Sequence, residues 1–199
     1  MAFNVDAFRS QGLIFGGARP TLFRVLMQFP GGVAGDVERA SYLIRSTSLP
    51  SSSVSSVPVP YFGRTIKVAG DRSFEDWSVT CMNDEDFDLR NSFESWLNLI
   101  NAHASNRAGT LGGIQGGTPD LYKVDLIVQQ FGKAGPSNDS GIIRQYKFNG
   151  VFPTSVGAIS LDWDSTNTIE SFDVTFSYDY WEPLPTESGP IYNVELNPV

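Results

Sequence analysis

Along this chain apolar residues recur most often at every second position, the period of a strand with one face buried and the other wet. The cleanest run is Thr168 to Trp181, where Phe172, Val174, Phe176, Tyr178 and Tyr180 share one face and Ser171, Asp173, Thr175, Ser177 and Asp179 the other. The alternation predicts a single half-buried strand. Similar patterns predict strands over Leu22 to Phe29 (Phe23, Val25, Met27 and Phe29 inward), Trp77 to Cys81, Tyr122 to Phe131 and Ile142 to Phe148. Tyr42 to Arg45 and Thr65 to Val68 are shorter candidates.

One segment follows a different period. From Phe87 to Ile100 the residues Phe87, Phe93, Trp96, Leu97 and Ile100 recur at helical spacing. Asn83 and Asp84 precede this helix, and Asp84, Glu85 and Asp86 place carboxylates near its N-terminus, where capping and the helix dipole favour them.

Three stretches rich in Gly, Ser, Asn and Pro, at 30–35, 104–119 and 132–141, read as loops. Leu49 to Pro60 alternates serines, valines and prolines; because proline donates no ladder hydrogen bond, the segment is expected to be extended at a sheet edge or a surface. Residues 183–199 carry four prolines and no clear period, and read as an extended arm. Many strands with one helix give a mainly β fold, a sandwich or partly open barrel with a single flanking α-helix. The expected organisation is one domain over 1–182, with loop insertions near 31–35, 104–118 and 132–141, followed by the Pro-rich arm.

Composition narrows the partners. The net charge of −8 and the pI near 4.5 argue against a surface that grips phosphates. The single cysteine, Cys81, excludes an intramolecular disulfide and a cysteine-rich zinc site. The N-terminus lacks the basic head and apolar run of a signal peptide, and no stretch approaches the roughly 20 apolar residues of a membrane span. Synthesis and solubility in the cytoplasm, without a membrane anchor, are the expectation.

Catalytic chemistry finds little support. His103, the only histidine, sits at a helix end beside a Gly-rich loop, where a hydrogen-bonded histidine is common, and nothing orients it as a base. Asp162 to Asn167, with Glu170 beyond, alternates oxygen ligands but lacks the glycine and the closing carboxylate of a calcium loop, so a turn is the simpler reading. Glu75 and Asp76 point to opposite faces of a strand and cannot act as a glycosidase pair. The Gly-Gly pairs at 16–17, 31–32, 112–113 and 116–117 lack the Lys-Ser/Thr ending of a phosphate loop. Cys81 alternates with Trp77 and Val79 as a small core residue would. No cofactor or metal is implied, and the expectation is a protein that is not an enzyme.

The run from Thr65 to Glu85, Thr-Ile-Lys-Val-Ala-Gly-Asp-Arg-Ser-Phe-Glu-Asp-Trp-Ser-Val-Thr-Cys-Met-Asn-Asp-Glu, closely resembles a segment of the tail tube proteins of contractile-tailed bacteriophages. So do Pro153 to Asn167 and Ile169 to Trp181, with its closing Asp-Tyr-Trp, and, more briefly, Ala18 to Phe23 and Leu49 to Pro60. The likeness spans most of residues 18 to 182. It implies a barrel-like sandwich whose inner sheet joins a continuous barrel in a hexameric ring, with rings stacking into a tube. The family's tubes start on a baseplate, take their length from a tape measure protein, and are wrapped by a contractile sheath.

By the same resemblance, Gly70, Asp71, Arg72, Asp76 and Trp77 are candidate subunit contacts, alongside the plainer reading of a hairpin with an internal Asp-Arg pair. Viral DNA would pass through the lumen without sequence-specific binding, and an acidic wall would repel it from every side. Alternating strand faces make Asp125 and Asp173 candidate lumen residues, alongside the plainer reading of solvated carboxylates on the outer wall. The expected location is the virion. Two rival readings are a tube of another contractile injection or secretion machine carrying protein, and a sandwich hydrolase or carbohydrate-binding module with an aromatic cleft.

Overall fold

The computed structural model describes residues 17–108, 110–111, 114–115, 119–133 and 141–185, together with Val5, Phe8 and Gln11. The elements in chain order are β1 (Phe23–Leu26), α1 (Val37–Leu43), β2 (Ile44–Thr47), β3 (Ser53–Tyr61), β4 (Arg64–Ser73), β5 (Trp77–Met82) and α2 (Asp88–Ile100). Two short strands follow, β6 (Thr110–Leu111) and β7 (Ile114–Gln115), then a 3-10 turn (Pro119–Leu121), β8 (Val124–Phe131), β9 (Ile142–Val156), β10 (Ser171–Ser177) and β11 (Tyr180–Leu184). The fold is mainly β, as the alternation predicts.

Seven strands form one bent sheet in the order β1-β8-β9-β10-β5-β2, with β11 also pairing β9. The bend lies within β9. Its first part pairs β8 on one side and β11 on the other, and its last residues, from Phe152 on, pair β10. The ribbon β10–β11 turns with it, so the expected single strand from Thr168 to Trp181 is in fact two, broken at Tyr178 and Asp179. Gly150 makes the corner possible: its φ is +67°, and a Cβ there would run into the Asp179 carboxylate, which Lys123 Nζ holds at 2.7 Å.

The bend folds the sheet into two layers with the core between them. Trp77 of β5 stacks on Phe148 of β9 with ring centroids 4.6 Å apart, and Phe176 adjoins Trp77 at 5.5 Å. Helix α2 closes the remaining side, burying Leu89, Phe93 and Trp96. Phe93 and Trp96 pack against Phe29, and Phe93 also meets Phe172 and Phe176. The Trp96 indole, fully buried, donates to the Tyr122 carbonyl at 2.8 Å, so its one polar atom is satisfied.

Two expectations change around the helices. Tyr42 belongs to α1, not to a strand; Asp36 caps this short helix by accepting from the Glu38 and Arg39 amides, and the strand begins only at Ile44. At α2 the cap residue is Phe87 in the left-handed region, with no side-chain cap. Two of the three carboxylates expected near its N-terminus, Asp84 and Asp86, pair with the Arg39 guanidinium, which also reaches Asp88 of the first helical turn. Asp84 also accepts from the Glu85 amide at 2.8 Å, so both of its oxygens are engaged ahead of the helix.

The loop at 31–35 is packed into the body, with Val33 buried and Gly35 so close to Phe29 that a Cβ would stand 2.6 Å from the ring. The stretch expected as a loop at 104–119 holds a short antiparallel pair, β6 with β7, Thr110 opposite Gln115 and Leu111 opposite Ile114; of the loop at 132–141 only 132–133 and Gly141 are described, and the Gly132 amide donates to the Gly141 carbonyl at 2.8 Å, continuing the β8–β9 ladder. The arm expected from residue 183 begins inside β11, which ends at Leu184, and residues 186–199 lie outside the described part.

Candidate assembly interface

Strands β3 and β4 form a two-stranded ribbon that pairs with no other strand. Apart from half-buried Gly70, every one of its residues is exposed. An isolated ribbon of this length buries too little apolar surface to be stable by itself in water. Its root supplies what its tip lacks. The Trp77 indole donates to the Ser48 carbonyl at 2.9 Å, the Trp181 indole to the Ser51 carbonyl at 3.0 Å, and Ser51 Oγ to Glu75 at 3.2 Å. Phe74, at the root, packs against Tyr178 and Trp181.

The ribbon's two faces differ. The register pairs Val57 with Val68 and Val59 with Ile66, so these four apolar side chains share one face. Ser56, Pro58, Pro60, Thr65, Lys67 and Ala69 share the other. At the tip, Phe62 (φ +41°) and Gly63 (φ +78°) form the two-residue turn, both with positive φ. Phe62 is 92% exposed and meets Tyr61 edge to face at 4.7 Å. A left-handed, solvent-exposed phenylalanine is costly in the isolated subunit, a pattern typical of residues held for an interaction.

The outer edge of β3 is blunted. In a two-residue hairpin the closing pair, Tyr61 with Arg64, exchanges both ladder hydrogen bonds, so alternate residues Pro60 and Pro58 direct their nitrogens outward. Proline has no N–H to offer there, so another strand cannot pair fully along this edge.

The candidate contact residues fall in different places. Gly70, Asp71 and Arg72 lie within β4, not in a loop, and Arg72 is paired in register with Val54. A Cβ on Gly70 would collide with the Ser55 hydroxyl, so the glycine permits the irregular pairing there. Among the described residues Asp71 and Arg72 make no ion pair with each other. Asp76 is exposed at the root, whereas Trp77 is 2% exposed in the core. What the sequence reading missed is the tip, Tyr61 to Gly63: Phe62-Gly63 stands where a two-residue turn normally carries Asn-Gly or Asp-Gly, so only the glycine signals it.

The candidate lumen residues do not share a face. Asp125 lies on the outer side of the layer formed by β8 and β9, where it binds Lys147 Nζ at 2.9 Å and accepts from the Gly150 amide. Burial opposes its charge, but these two hydrogen bonds outweigh that and hold the carboxyl below its usual range. Asp173 lies on the outer side of the other layer and accepts from the Thr80 hydroxyl at 2.6 Å. Its neighbours there are small hydroxyls, with Ser78 and Thr175 paired at 3.3 Å. Cys81 is fully buried, and burial first, then the Asp173 charge, push its thiol up to about 12, which leaves no reactive thiolate at neutral pH.

Comparison with known proteins agrees with this architecture. The phage tail tube protein family model matches residues 18–183. Tail tube protein gp19 of Enterobacteria phage T4 is 38% identical over 165 residues, covering 83% of this chain and 91% of that protein. The tail tube protein of Serratia phage KSP90 is 28% identical over 177 residues, 87% of this chain and 93% of that one. Among solved structures, a chain of the anti-feeding prophage baseplate superposes with a TM-score of 0.61 at 12% identity, covering 86% of this chain and 97% of that one. A chain of the sheath/tube terminator of an extracellular contractile injection system, PVC, gives 0.59 at 16%, covering 85% and 97%. With a rooted, exposed ribbon on a two-layer body, and sequence likeness along nearly the whole described length, this chain belongs to the phage tail tube protein family.

Proposed function

We propose that this chain is the repeating structural subunit of a contractile phage's tail tube, six copies forming each ring and the rings stacking into the channel through which viral DNA passes. The observation that carries the reading is the β3–β4 ribbon: a 21-residue arm, apolar on one face, that its own subunit leaves uncovered. Such a surface is a docking element, and head-to-tail use of it propagates as an open polymer. The identity to phage tail tube proteins favours DNA over protein as the passenger. In this reading the tube is part of the virion, assembled in the host cytoplasm on a baseplate, measured by a tape measure protein and enclosed by a sheath. Its role is structural, without catalysis.

The outer face of β5 and β10 is our candidate for the channel wall. It lies opposite the side of β10 on which α2 packs, and its small hydroxyls and Asp173 offer no cation to hold a phosphate. Asp125, already neutralised by Lys147, then belongs to another surface.

Electron microscopy of concentrated protein, with and without a baseplate complex as nucleator, tests the proposal. Stacked rings with an open channel are expected from the wild type. A variant with Pro58 to Lys67 replaced by a short Asn-Gly turn should keep the circular dichroism of the folded body and form no tubes. Wild-type protein that stays monomeric beside the nucleator, or a trimmed variant that polymerises equally well, would refute it.

A further inference from the structure

Several strand ends converge at one end of the bent sheet. β1 begins there with Phe23 opposite Gln130, β8 closes with Phe131 opposite Ile142, and β11 finishes with Leu184 opposite Gln145. The Gln145 side-chain amide donates to the Pro185 carbonyl at 3.1 Å, so the chain leaving β11 is still aligned with β9 and heads for Ile143. Beside that exit lies an open groove of about 410 Å³, lined by Ala18, Arg19, Phe131, Gly132, Lys133 and Ile143. Ile143 is 40% exposed in it. Arg19 and Lys133 are exposed, and the Arg24 guanidinium stands 5.6 Å from the Phe131 ring centroid; none of the three makes an ion pair among the described residues. No carboxylate belongs to the described lining. On a chain of net −8 this is a cationic and apolar spot, and its complement is an apolar segment that carries carboxylates.

Residues 186–199 supply that complement. Glu187 and Glu195 are their charged side chains, with no Lys or Arg beside them, and Tyr192, Val194 and Leu196 stand at every second position although the arm as a whole has no period. Two other segments continue in sequence from the groove's lining, and both fit less well: 1–16 carries Arg9 against Asp6, and 134–140 carries Asp139 but no large apolar residue. Reach is sufficient. Crossing β9 and β8 takes two strand spacings, roughly 10 Å, and Thr186 to Pro190 extend to about 17 Å.

We infer that residues 191–196 dock in this groove of the same copy as a strap, Val194 and Leu196 packing on Phe131 and Ile143 while Glu187 and Glu195 meet Arg19 and Lys133 at its rim. The contact is made in cis because the arm leaves the sheet beside the groove, and so short a tether gives an effective concentration on the order of millimolar. Complementary charge sets the register, and the apolar groups supply the burial. The strap covers cations that would otherwise attract polyanions to an acidic subunit. The matched family region ends at residue 183, so the strap is an addition to the shared fold and stands independently of the tube reading.

Disulfide trapping in dilute solutions of the full chain tests it. Cys81 is buried, so cysteines introduced as Ile143→Cys and Val194→Cys are the accessible thiols of a double variant. Mild oxidation should close an intramolecular disulfide, seen as a faster-running monomer in non-reducing denaturing gels, at a rate independent of protein concentration. That rate should exceed by about tenfold or more the rate for Ser46→Cys with Val194→Cys, because Ser46 lies on β2 at the other end of the strand order. In the first pair, Glu187→Lys with Glu195→Lys should slow closure about fivefold at low salt, and adding Arg19→Glu with Lys133→Glu should restore it to within about twofold. A readout without new cysteines is trypsin cleavage after Lys133, which should quicken about tenfold when residues 186–199 are removed. Equal closure rates for the two pairs, charge reversals without effect or without mutual rescue, or cleavage unchanged by the truncation overturn the docking, and the groove then belongs to 1–16, to 134–140 or to solvent. Disulfide-linked dimers in place of the closed monomer assign it to the arm of a second copy and overturn the strap in cis.

Discussion

Gly150 shows how one residue governs the shape of the subunit. β9 must run continuously through both layers, and it turns where a positive φ is held and where the Asp179 carboxylate leaves no room for a side chain. Gly150→Ala should therefore destabilise the protein by about 1–3 kcal/mol, from the left-handed penalty and from displacement of a carboxylate held by Lys123. Urea unfolding followed by tryptophan fluorescence would measure it; a loss below about 0.5 kcal/mol would mean that the corner relaxes without glycine. At this scale the sequence was only partly legible. Phe172, Val174 and Phe176 read correctly as inward-facing, but nothing local separates Gly150 from an ordinary strand glycine, because its partner Asp179 is 29 positions away.

The ribbon is the element whose design is easiest to misread in isolation. Prolines at 58 and 60 weaken a strand in most settings, yet here both face outward from a two-stranded pair and cost it no ladder bond. Their effect is negative: they stop unrelated edges from adding to β3, a hazard for any protein that waits at high concentration before polymerising. Pro58→Thr with Pro60→Thr should leave the melting temperature of the body nearly unchanged and increase irregular aggregation relative to tubes. Light scattering with microscopy of the aggregates would read this, and ordered tubes in undiminished yield would count against it. The extended character and peripheral place of 49–60 were expected from its prolines. Its pairing with β4 over the full length from Ser53 to Ser73 was not, since the alternation there predicted a strand only from Thr65 to Val68.

For the whole molecule, the question is how an acidic subunit becomes a passage for a polyanion. The two candidate carboxylates point from opposite layers, and Asp125 is matched by Lys147 while Asp173 stands among hydroxyls. If the β5–β10 face lines the channel, Asp173→Lys with Thr175→Lys should leave tubes intact but create rings of cations along the DNA path. Phage carrying these substitutions should eject DNA more slowly, with the delay shrinking as salt rises because exposed charges are screened over about 10 Å at 0.1 M. Ejection kinetics followed by dye uptake into released DNA would decide; an unchanged rate at low salt places that face outside the channel.

Period-two alternation by itself determined that the chain builds half-buried strands, and a helical period did the same for α2 from Asp88 to Ile100, because these patterns reflect backbone geometry that each segment carries locally. Likeness of motifs from Gly70 to Trp77 and from Ile169 to Trp181 was enough to indicate the family. Tertiary structure alone decided the rest. Asp84 and Asp86 turned from the helix end to Arg39, Trp77 went into the core to root the ribbon, and β9 changed partners at Gly150. Each of these outcomes is a competition between distant groups for the same atoms or the same space, and such a competition has no signature in the spacing of neighbours along a chain.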